Sequence, residues 1–155
     1  MKQEAEILLR VVVAIVLTGI LGWEREVVGK AAGLRTHMLV GAGAAMFVGL
    51  GQLLVLEFQS FGELLRFDPT RLVEAVVAGV SFLGAGSIFF ARRNQSVQGL
   101  TTAASLWPTA GVGMAAGLGR YVLAVGSTLL VFVILHAFAW LDAKARKSDS
   151  DRKTS

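Results

Sequence analysis

The chain has 155 residues, of which 54% are hydrophobic and 17% are charged, with a mean hydropathy of +0.64 and a formal net charge of +4. Soluble domains carry about 25% charged residues, so the composition excludes an ordinary soluble domain and indicates a membrane protein with room for about five spans. The absence of cysteine excludes disulfides and thiolate chemistry, and the basic residues are too dispersed between apolar runs for us to expect a nucleic-acid partner.

Four uncharged runs predict transmembrane helices. The first comprises residues 11–23 and extends across Arg10, whose long side chain can reach the nearby membrane surface. We expect this run to be retained rather than cleaved as a signal peptide, because Glu4 and Glu6 precede it and no small-residue cleavage site follows it. The other three runs comprise residues 36–56, 75–91 and 121–141.

The stretch of residues 94–119 is also uncharged, but it is rich in Gly, Ala and Thr and contains Pro108. Two interpretations stay open: a fourth, kinked span, or a re-entrant segment. A proline is tolerated inside a membrane helix where other helices or nearby Ser and Thr hydroxyls satisfy the freed carbonyl. Hydroxyls that are near in sequence belong to Thr101, Thr102, Ser105 and Thr109.

The distribution of Lys and Arg favours five spans, because these residues accumulate on the cytoplasmic side of a membrane. Five spans with the N-terminus outside place ten basic residues inside and five outside, whereas four spans with a re-entrant segment give nine and six. We therefore predict an all-α, polytopic transmembrane helix bundle with an outside N-terminus and a cytoplasmic C-terminus. Residues 1–141 form the transmembrane domain, and residues 142–155 form a short charged cytoplasmic tail that we expect to be disordered.

Local signals predict one helix start and the mode of helix packing. Asp68 suits an N-cap and Pro69 suits a first helical turn, so the third helix is expected to begin there. Glycine is concentrated in the second, third and fourth apolar stretches, and Gly113 and Gly117 form a GxxxG pattern. These small residues indicate tight packing; in the alternative interpretation, residues 84–86 are unwound or closely approached backbone that lines a pathway.

The sequence shows no sign of a catalytic site. It has no motif of a serine hydrolase, a zinc protease or a phosphate-binding loop, so we expect no enzymatic activity and no cofactor, with magnesium left open as a bound ion. His37 and His136 are interpreted as interhelical or interface residues, because two ligands alone make an incomplete metal site. Carboxylates flank the spans, and we expect none to be buried at a span centre, which argues against proton-coupled transport.

The first two spans are separated by a cluster of five charged residues, namely Glu24, Arg25, Glu26, Lys30 and Arg35. In one interpretation the cluster is a solvated cytoplasmic loop. In the other, its cations pair with its carboxylates or with anionic lipid and fix the mouth of the bundle. Gly29 and Gly33 allow sharp turns in this segment.

Three blocks of the sequence resemble the MgtC/SapB family of membrane proteins. They are GWERE at residues 22–26 with GKAAGLRTH at 29–37, DPTR at 68–71 leading to GVSFLGAG at 79–86, and GLTTAASLW at 99–107. The resemblance extends from about residue 10 to about residue 140, with the blocks in the expected order. The residues that match the family's motifs are our candidate functional residues: Glu24, Arg25, Glu26, Gly29, Lys30, Arg35, Asp68, Gly84, Gly86, Thr101 and Thr102.

The resemblance implies a multi-pass protein of the bacterial inner membrane that is tied to growth in low magnesium and, in pathogens, to survival inside host phagocytes. It also links similar proteins to the rotary ATP synthase and to the membrane potential. The sequence departs from the family pattern at Ser81, where glycine is usual, and at Pro108, which follows the tryptophan. We expect the soluble C-terminal domain of longer members to be absent, so only the membrane module is carried over.

Two functions follow from the residues and the resemblance. The first is a non-enzymatic regulator that binds a membrane partner such as the ATP synthase through small-residue helix faces, a hypothesis that depends on the expected absence of buried carboxylates. The alternative is a small transporter of magnesium or another cation, in which the Thr-rich fourth segment and residues 84–86 form a path. Because five short spans enclose little volume, we expect a homo-oligomer, such as a dimer, in the lipid bilayer.

Overall fold

The computed structural model describes residues 1–58, 68–90 and 99–153, with side chains at all of these except 69, 89, 90 and 138–153. In these ranges the regular elements are the helices α1 (Lys2–Val27), α2 (Leu34–Phe58), α3 (Pro69–Phe90), α4 (Leu100–Gly117) and α5 (Tyr121–Lys153). The all-α class is therefore confirmed. The count of basic residues inside and outside the membrane included Arg66, Arg92 and Arg93. These three residues lie outside the described residues.

Three helical segments in the described part of the chain are long and apolar enough to cross a membrane: Lys2–Val27, Leu34–Phe58 and Thr70–Ile88. A fourth segment, Tyr121–Ala137 in α5, is apolar but shorter. These segments follow the uncharged runs of the sequence, so the prediction of a membrane protein built from helices is confirmed. The orientation of the two termini stays a prediction.

The helix directions follow from contacts at the two ends of the bundle. Arg10 near the start of α1 bonds to Gln52 near the end of α2 and to Gly117 at the end of α4. His37 near the start of α2 bonds to Ser105 in the first half of α4. Helices α2 and α4 are therefore parallel, and α1 is antiparallel to both. Helix α4 packs against each of the other four helices, and ten of its 18 residues are buried, so it forms the centre of the bundle.

The fourth segment is a single helix that extends between both ends of the bundle. Its 18 residues span about 27 Å, close to the thickness of a hydrocarbon core. Its first half lies beside the start of α2, and its last residue lies beside the start of α1. This geometry favours a crossing segment over a re-entrant one.

Pro108 lies inside α4 among hydroxyl groups that bond to their own helix. Proline has no N–H to donate to the carbonyl of Ala104, one turn earlier. The Ser105 hydroxyl donates to the Thr102 carbonyl at 2.8 Å, and the Thr109 hydroxyl donates to the Ser105 carbonyl at 2.7 Å. The hydroxyls that sequence analysis placed near the proline therefore satisfy neighbouring carbonyls within α4.

Glycine allows α2 and α4 to touch through their backbones. A Cβ atom at Gly113 would lie 2.9 Å from the Cα of Gly41, and one at Gly117 would lie 2.8 Å from the carbonyl oxygen of Ala45. A larger residue at either position would push the helices apart. The GxxxG pattern is thus a helix contact, and for these two glycines the interpretation as tight packing is confirmed.

Left-handed glycines end both α1 and α4. Gly29 has a φ of 69° and Gly119 has a φ of 71°. After α1, the amide of Lys30 donates to the carbonyl of Arg25 at 2.9 Å, and the turn after α4 repeats this bond. This Schellman arrangement satisfies carbonyls that the helix end leaves free. The predicted turn at Gly29 is confirmed.

Asp68 caps the first turn of α3, as the sequence predicts. Its Oδ1 atom accepts hydrogen bonds from the Thr70 amide at 2.9 Å and from the Thr70 hydroxyl at 2.6 Å. These bonds favour the ionised carboxylate and lower the pKa of Asp68 below its usual value. The helix begins at Pro69, the predicted position.

We expect this cap to make the first turn of α3 sensitive to acid. Because the folded pKa of Asp68 is lowered, the stabilisation is present above the pKa of an unfolded aspartate, about 3.9, and is lost as the pH falls through the lower folded pKa. Protection of the first α3 amides from hydrogen exchange should therefore fall in acid. Asp68→Ala should show the low protection of the acid state at every pH, and Asp68→Asn, which caps without titrating, should remove the pH dependence. Full protection in Asp68→Ala would contradict the cap.

Helix α5 continues to Lys153, which corrects the predicted disorder from Asp142 onward. Residues 142–147 read DAKARK, and alanine and long basic residues have high helix propensity. The boundary between the predicted domain and its tail thus lies within one helix, and the cytoplasmic location of the tail stays a prediction.

Candidate functional site

The five charges between the first two spans separate into a buried pair and three exposed residues. Glu24 is 4% exposed and Arg25 is 2% exposed, both near the end of α1. Glu26, Lys30 and Arg35 are exposed. The interpretation of this cluster as a solvated loop is therefore correct for three residues and wrong for the pair.

The expected absence of buried carboxylates supported the regulator hypothesis. Because Glu24 is buried, that expectation was wrong and this support is lost. Glu24 lies one turn from the end of the candidate span Lys2–Val27, not at its centre. The physical reason for its burial is the close approach of α2. A Cβ atom at Gly22 would lie 2.7 Å from the Cα of Leu34 and 2.9 Å from the Cβ of His37, so α2 covers the end of α1.

Glu24 and Arg25 form one ion pair and retain unpaired polar atoms. The Nη1 atom of Arg25 lies 3.5 Å from Oε2 of Glu24, farther than the 2.7–2.9 Å of a charge-assisted hydrogen bond. Among the described residues, neither Glu24 carboxylate oxygen has a hydrogen-bond partner, and neither do Nε and Nη2 of Arg25. Adjacent helical residues point about 100° apart and cannot close a bidentate pair. Buried charges are normally fully hydrogen-bonded, so this pair is the strongest functional candidate.

His37 links α2 to α4 next to this pair and is completely buried. Its Nδ1 atom lies 3.0 Å from the carbonyl oxygen of Gly33, which can only accept, so Nδ1 carries a hydrogen. Its Nε2 atom lies 3.2 Å from the Ser105 hydroxyl, which is also 2.8 Å from the Thr102 carbonyl. In the neutral ring Nε2 accepts a hydrogen bond. The single hydrogen of the Ser105 hydroxyl then has two acceptors, Nε2 of His37 and the Thr102 carbonyl oxygen. The interhelical bond predicted for His37 is confirmed.

The exposed charges shape the outer side of the corner between α1 and α2. The Oε2 atom of Glu26 accepts a hydrogen bond of 2.7 Å from the amide of Leu34 and caps the start of α2. Lys30 and Arg35 form no ion pair within the described residues, so their predicted pairing with the carboxylates of the cluster was wrong. Contact of these cations with anionic lipid stays a prediction.

The candidate residues on α3 and α4 lie in continuous helices and differ in burial. Helix α3 is continuous through Gly84 and Gly86, so the interpretation as unwound backbone was wrong. A Cβ at Gly84 would lie an ordinary 3.6 Å from Ala103, and one at Gly86 would meet open space. Thr101 is exposed, whereas Thr102 is buried and offers its carbonyl to the network around His37.

A second polar cluster, which sequence reasoning missed, lies at the opposite end of the bundle. Arg10 donates hydrogen bonds of 3.0 Å to Gln52 and to the Gly117 carbonyl, and it pairs with Glu6. Arg10 was expected only to reach toward the membrane surface, but its guanidinium joins three helices. The signal was present in the sequence, because Gln52 interrupts an apolar run. Fifteen residues, about 22 Å of helix, separate Arg10 from Arg25.

The site contains buried charged side chains, but its described residues do not form a metal-binding centre. No group of three or more His, Cys, Asp or Glu residues able to hold a metal occurs in the described part of the chain. A cation at Glu24 would also face the buried guanidinium of Arg25, which repels it.

Comparisons with known proteins give the chain a family. The model of the MgtC family matches residues 11–144. "Putative magnesium transporter YhiD" of Escherichia coli (strain K12) is 40% identical over 139 residues, covering 86% of this chain and 61% of that protein. "Protein SapB" of Bacillus subtilis (strain 168) is 31% identical over 149 residues, covering 96% and 62%. "Protein MgtC" of Brucella abortus (strain 2308) is 39% identical over 123 residues, covering 78% and 46%. The chain thus spans less than two thirds of each relative, and no solved structure matches it.

Proposed function

The chain belongs to the MgtC family of membrane proteins, and on that premise we propose that it is a non-enzymatic regulator of a membrane partner during adaptation to low magnesium. The partner that we propose is the rotary ATP synthase. In this proposal the chain is a multi-pass protein of the bacterial inner membrane, and it acts as a homo-oligomer. The name of the YhiD relative supports the connection with magnesium.

The observation that carries this proposal is the closed interior of the bundle. Between the two polar clusters, Leu21 and Val112 are completely buried, and the backbones of α2 and α4 are in contact at Gly113. A cation path needs oxygen ligands or water along its length. The buried hydroxyls of Thr18 and Thr128 instead donate to carbonyls of their own helices. The interior therefore favours a binding protein over a conduit.

A transporter is the second candidate, because Glu24 is buried and its carboxylate oxygens have no hydrogen-bond partner among the described residues. A buried carboxylate is costly in a membrane protein and commonly marks an ion or proton pathway. The printed name of the YhiD relative also favours transport. In this case a path would run between copies of the chain, since the interior of one copy is closed.

Magnesium flux into proteoliposomes distinguishes the two candidates. We expect purified protein to give no flux above empty liposomes, because the described residues contain no group of three or more His, Cys, Asp or Glu side chains that could hold a cation. The informative variant is Glu24→Gln, which keeps the shape of the side chain, and its matched control is Glu26→Gln at an exposed position. Flux that Glu24→Gln abolishes and Glu26→Gln preserves would overturn the regulator proposal and establish transport.

Photocrosslinking tests the proposed partner. A photoreactive residue at Phe82, which is 80% exposed, should capture a subunit of the ATP synthase in cells grown in low magnesium. The same residue at Leu106, which is 2% exposed, is the matched control and should capture none. Absence of synthase crosslinks from Phe82 and from further exposed positions on α5 would contradict this choice of partner.

A further inference from the structure

We propose that the cleft between α2 and α3 binds one anionic phospholipid, with an acyl chain in the cleft and the phosphate at Arg35. The cleft has a volume of about 400 Å³, more than twice that of a ~150 Å³ cavity that holds benzene. The described residues that line it are of apolar type and include Leu39, Gly43 and Phe47 of α2 and Ala75, Gly79 and Leu83 of α3.

The shape of the cleft suits an alkyl chain. From Leu39 to Phe47 the wall of α2 extends about 12 Å, so the cleft is elongated along the helix. A Cβ atom at Gly43 or Gly79 would meet no atom within 4 Å, so a chain can approach both helix backbones.

Charge at one end of the cleft favours an anionic headgroup. Arg35 lies one turn before Leu39 on α2, and residues spaced by four lie on the same helix face. Arg35 is exposed and forms no ion pair within the described residues, so its guanidinium is available. Guanidinium groups bind phosphate through two parallel hydrogen bonds. The apolar cleft and the cation together match a phospholipid with net negative charge.

Native mass spectrometry of the full chain, with equal amounts of phosphatidylglycerol and phosphatidylcholine, tests this site. We expect one retained lipid, with phosphatidylglycerol preferred roughly fivefold, the effect of one basic residue near an anionic headgroup. Arg35→Gln should remove that preference and leave phosphatidylcholine retention unchanged. The matched control is Arg120→Gln, which also removes an exposed arginine, but at the other end of the bundle.

Filling the cleft tests the acyl-chain position separately. Gly79→Leu should lower retention of both lipids about tenfold, the effect of losing contact with roughly two methylene groups. Gly43→Leu fills the cleft from the opposite wall and guards against a folding defect in the first variant. Gly126→Leu, where a Cβ also meets open space but lies on α5, is the matched control and should bind as the wild type does.

Two results would overturn the proposal. One is equal retention of both lipids by the wild type and by every cleft variant. The other is a dimer mass that Gly79→Leu and Gly43→Leu abolish, which would place a second copy of the chain in the cleft. The lipid site does not depend on the regulator proposal, because neither flux nor crosslinking to a partner enters its measurement.

Discussion

A leucine at Gly113 is expected to prevent assembly of the bundle. A Cβ atom there would lie 2.9 Å from the Cα of Gly41 and 3.0 Å from the Cβ of Ala44. Because the contact is with backbone, no side-chain rotation relieves it, and α2 must move away from α4. Helix α4 is the element on which all other helices pack, so the cost should exceed the ~1–3 kcal/mol of ordinary overpacking. Membrane abundance and a monodisperse elution profile in detergent should both be lost.

The matched control is Gly111→Leu, which makes the same change two residues away in the same helix. A Cβ atom at Gly111 meets nothing within 4 Å, so this variant should assemble as the wild type does. Normal assembly of Gly113→Leu would show that the backbone contact is dispensable. Failure of both variants would attribute the defect to leucine in α4 rather than to the contact with α2.

Much of the fold could be predicted because its elements have local causes. An uncharged run of sufficient length forms a helix in lipid, and an aspartate before a proline starts one, as Asp68 does for α3. Local sequence does not show which glycine makes a close contact, because the contact depends on how each helix is oriented in the bundle. Gly84 and Gly113 look alike in sequence, yet a Cβ at Gly84 would lie an ordinary 3.6 Å from the backbone of Ala103, whereas one at Gly113 would lie 2.9 Å from the Cα of Gly41.

The candidate site was harder to predict, because burial of a charge near a helix end depends on the neighbouring helix. Glu24, Arg25 and Glu26 are consecutive, and a rotation of about 100° per residue decides which of them α2 covers. The signal that could have been used is Gly22, since a missing side chain at that position brings α2 onto α1. Gln52 stands out in the sequence because it interrupts an apolar run, but its pairing with Arg10 is not local, since the two residues are 42 apart in the chain.

Removing one member of the buried pair should destabilise the protein more than removing both. Loss of one partner from a buried ion pair leaves an uncompensated charge and costs about 3–5 kcal/mol, whereas replacing both by apolar residues is commonly neutral or stabilising. Nη1 of Arg25 lies 3.5 Å from Oε2 of Glu24, and four polar atoms of the pair have no hydrogen-bond partner among the described residues, so the attraction offsets little of the desolvation cost. We expect Glu24→Leu and Arg25→Leu to lower the thermal unfolding temperature in detergent and the membrane abundance. The double variant should recover both.

The double variant then separates function from stability. If the pair has a functional role, a cell that carries the stable double variant should fail to grow in low magnesium, although the protein reaches normal abundance. Arg120→Ala, a change at an exposed arginine outside the candidate site, should leave abundance unaltered and serves as the control for loss of charge alone. Growth of the double variant at the wild-type rate would assign the pair a structural role only. Single variants as stable as the wild type would instead show that Glu24 and Arg25 are not energetically coupled, which would contradict the burial argument itself.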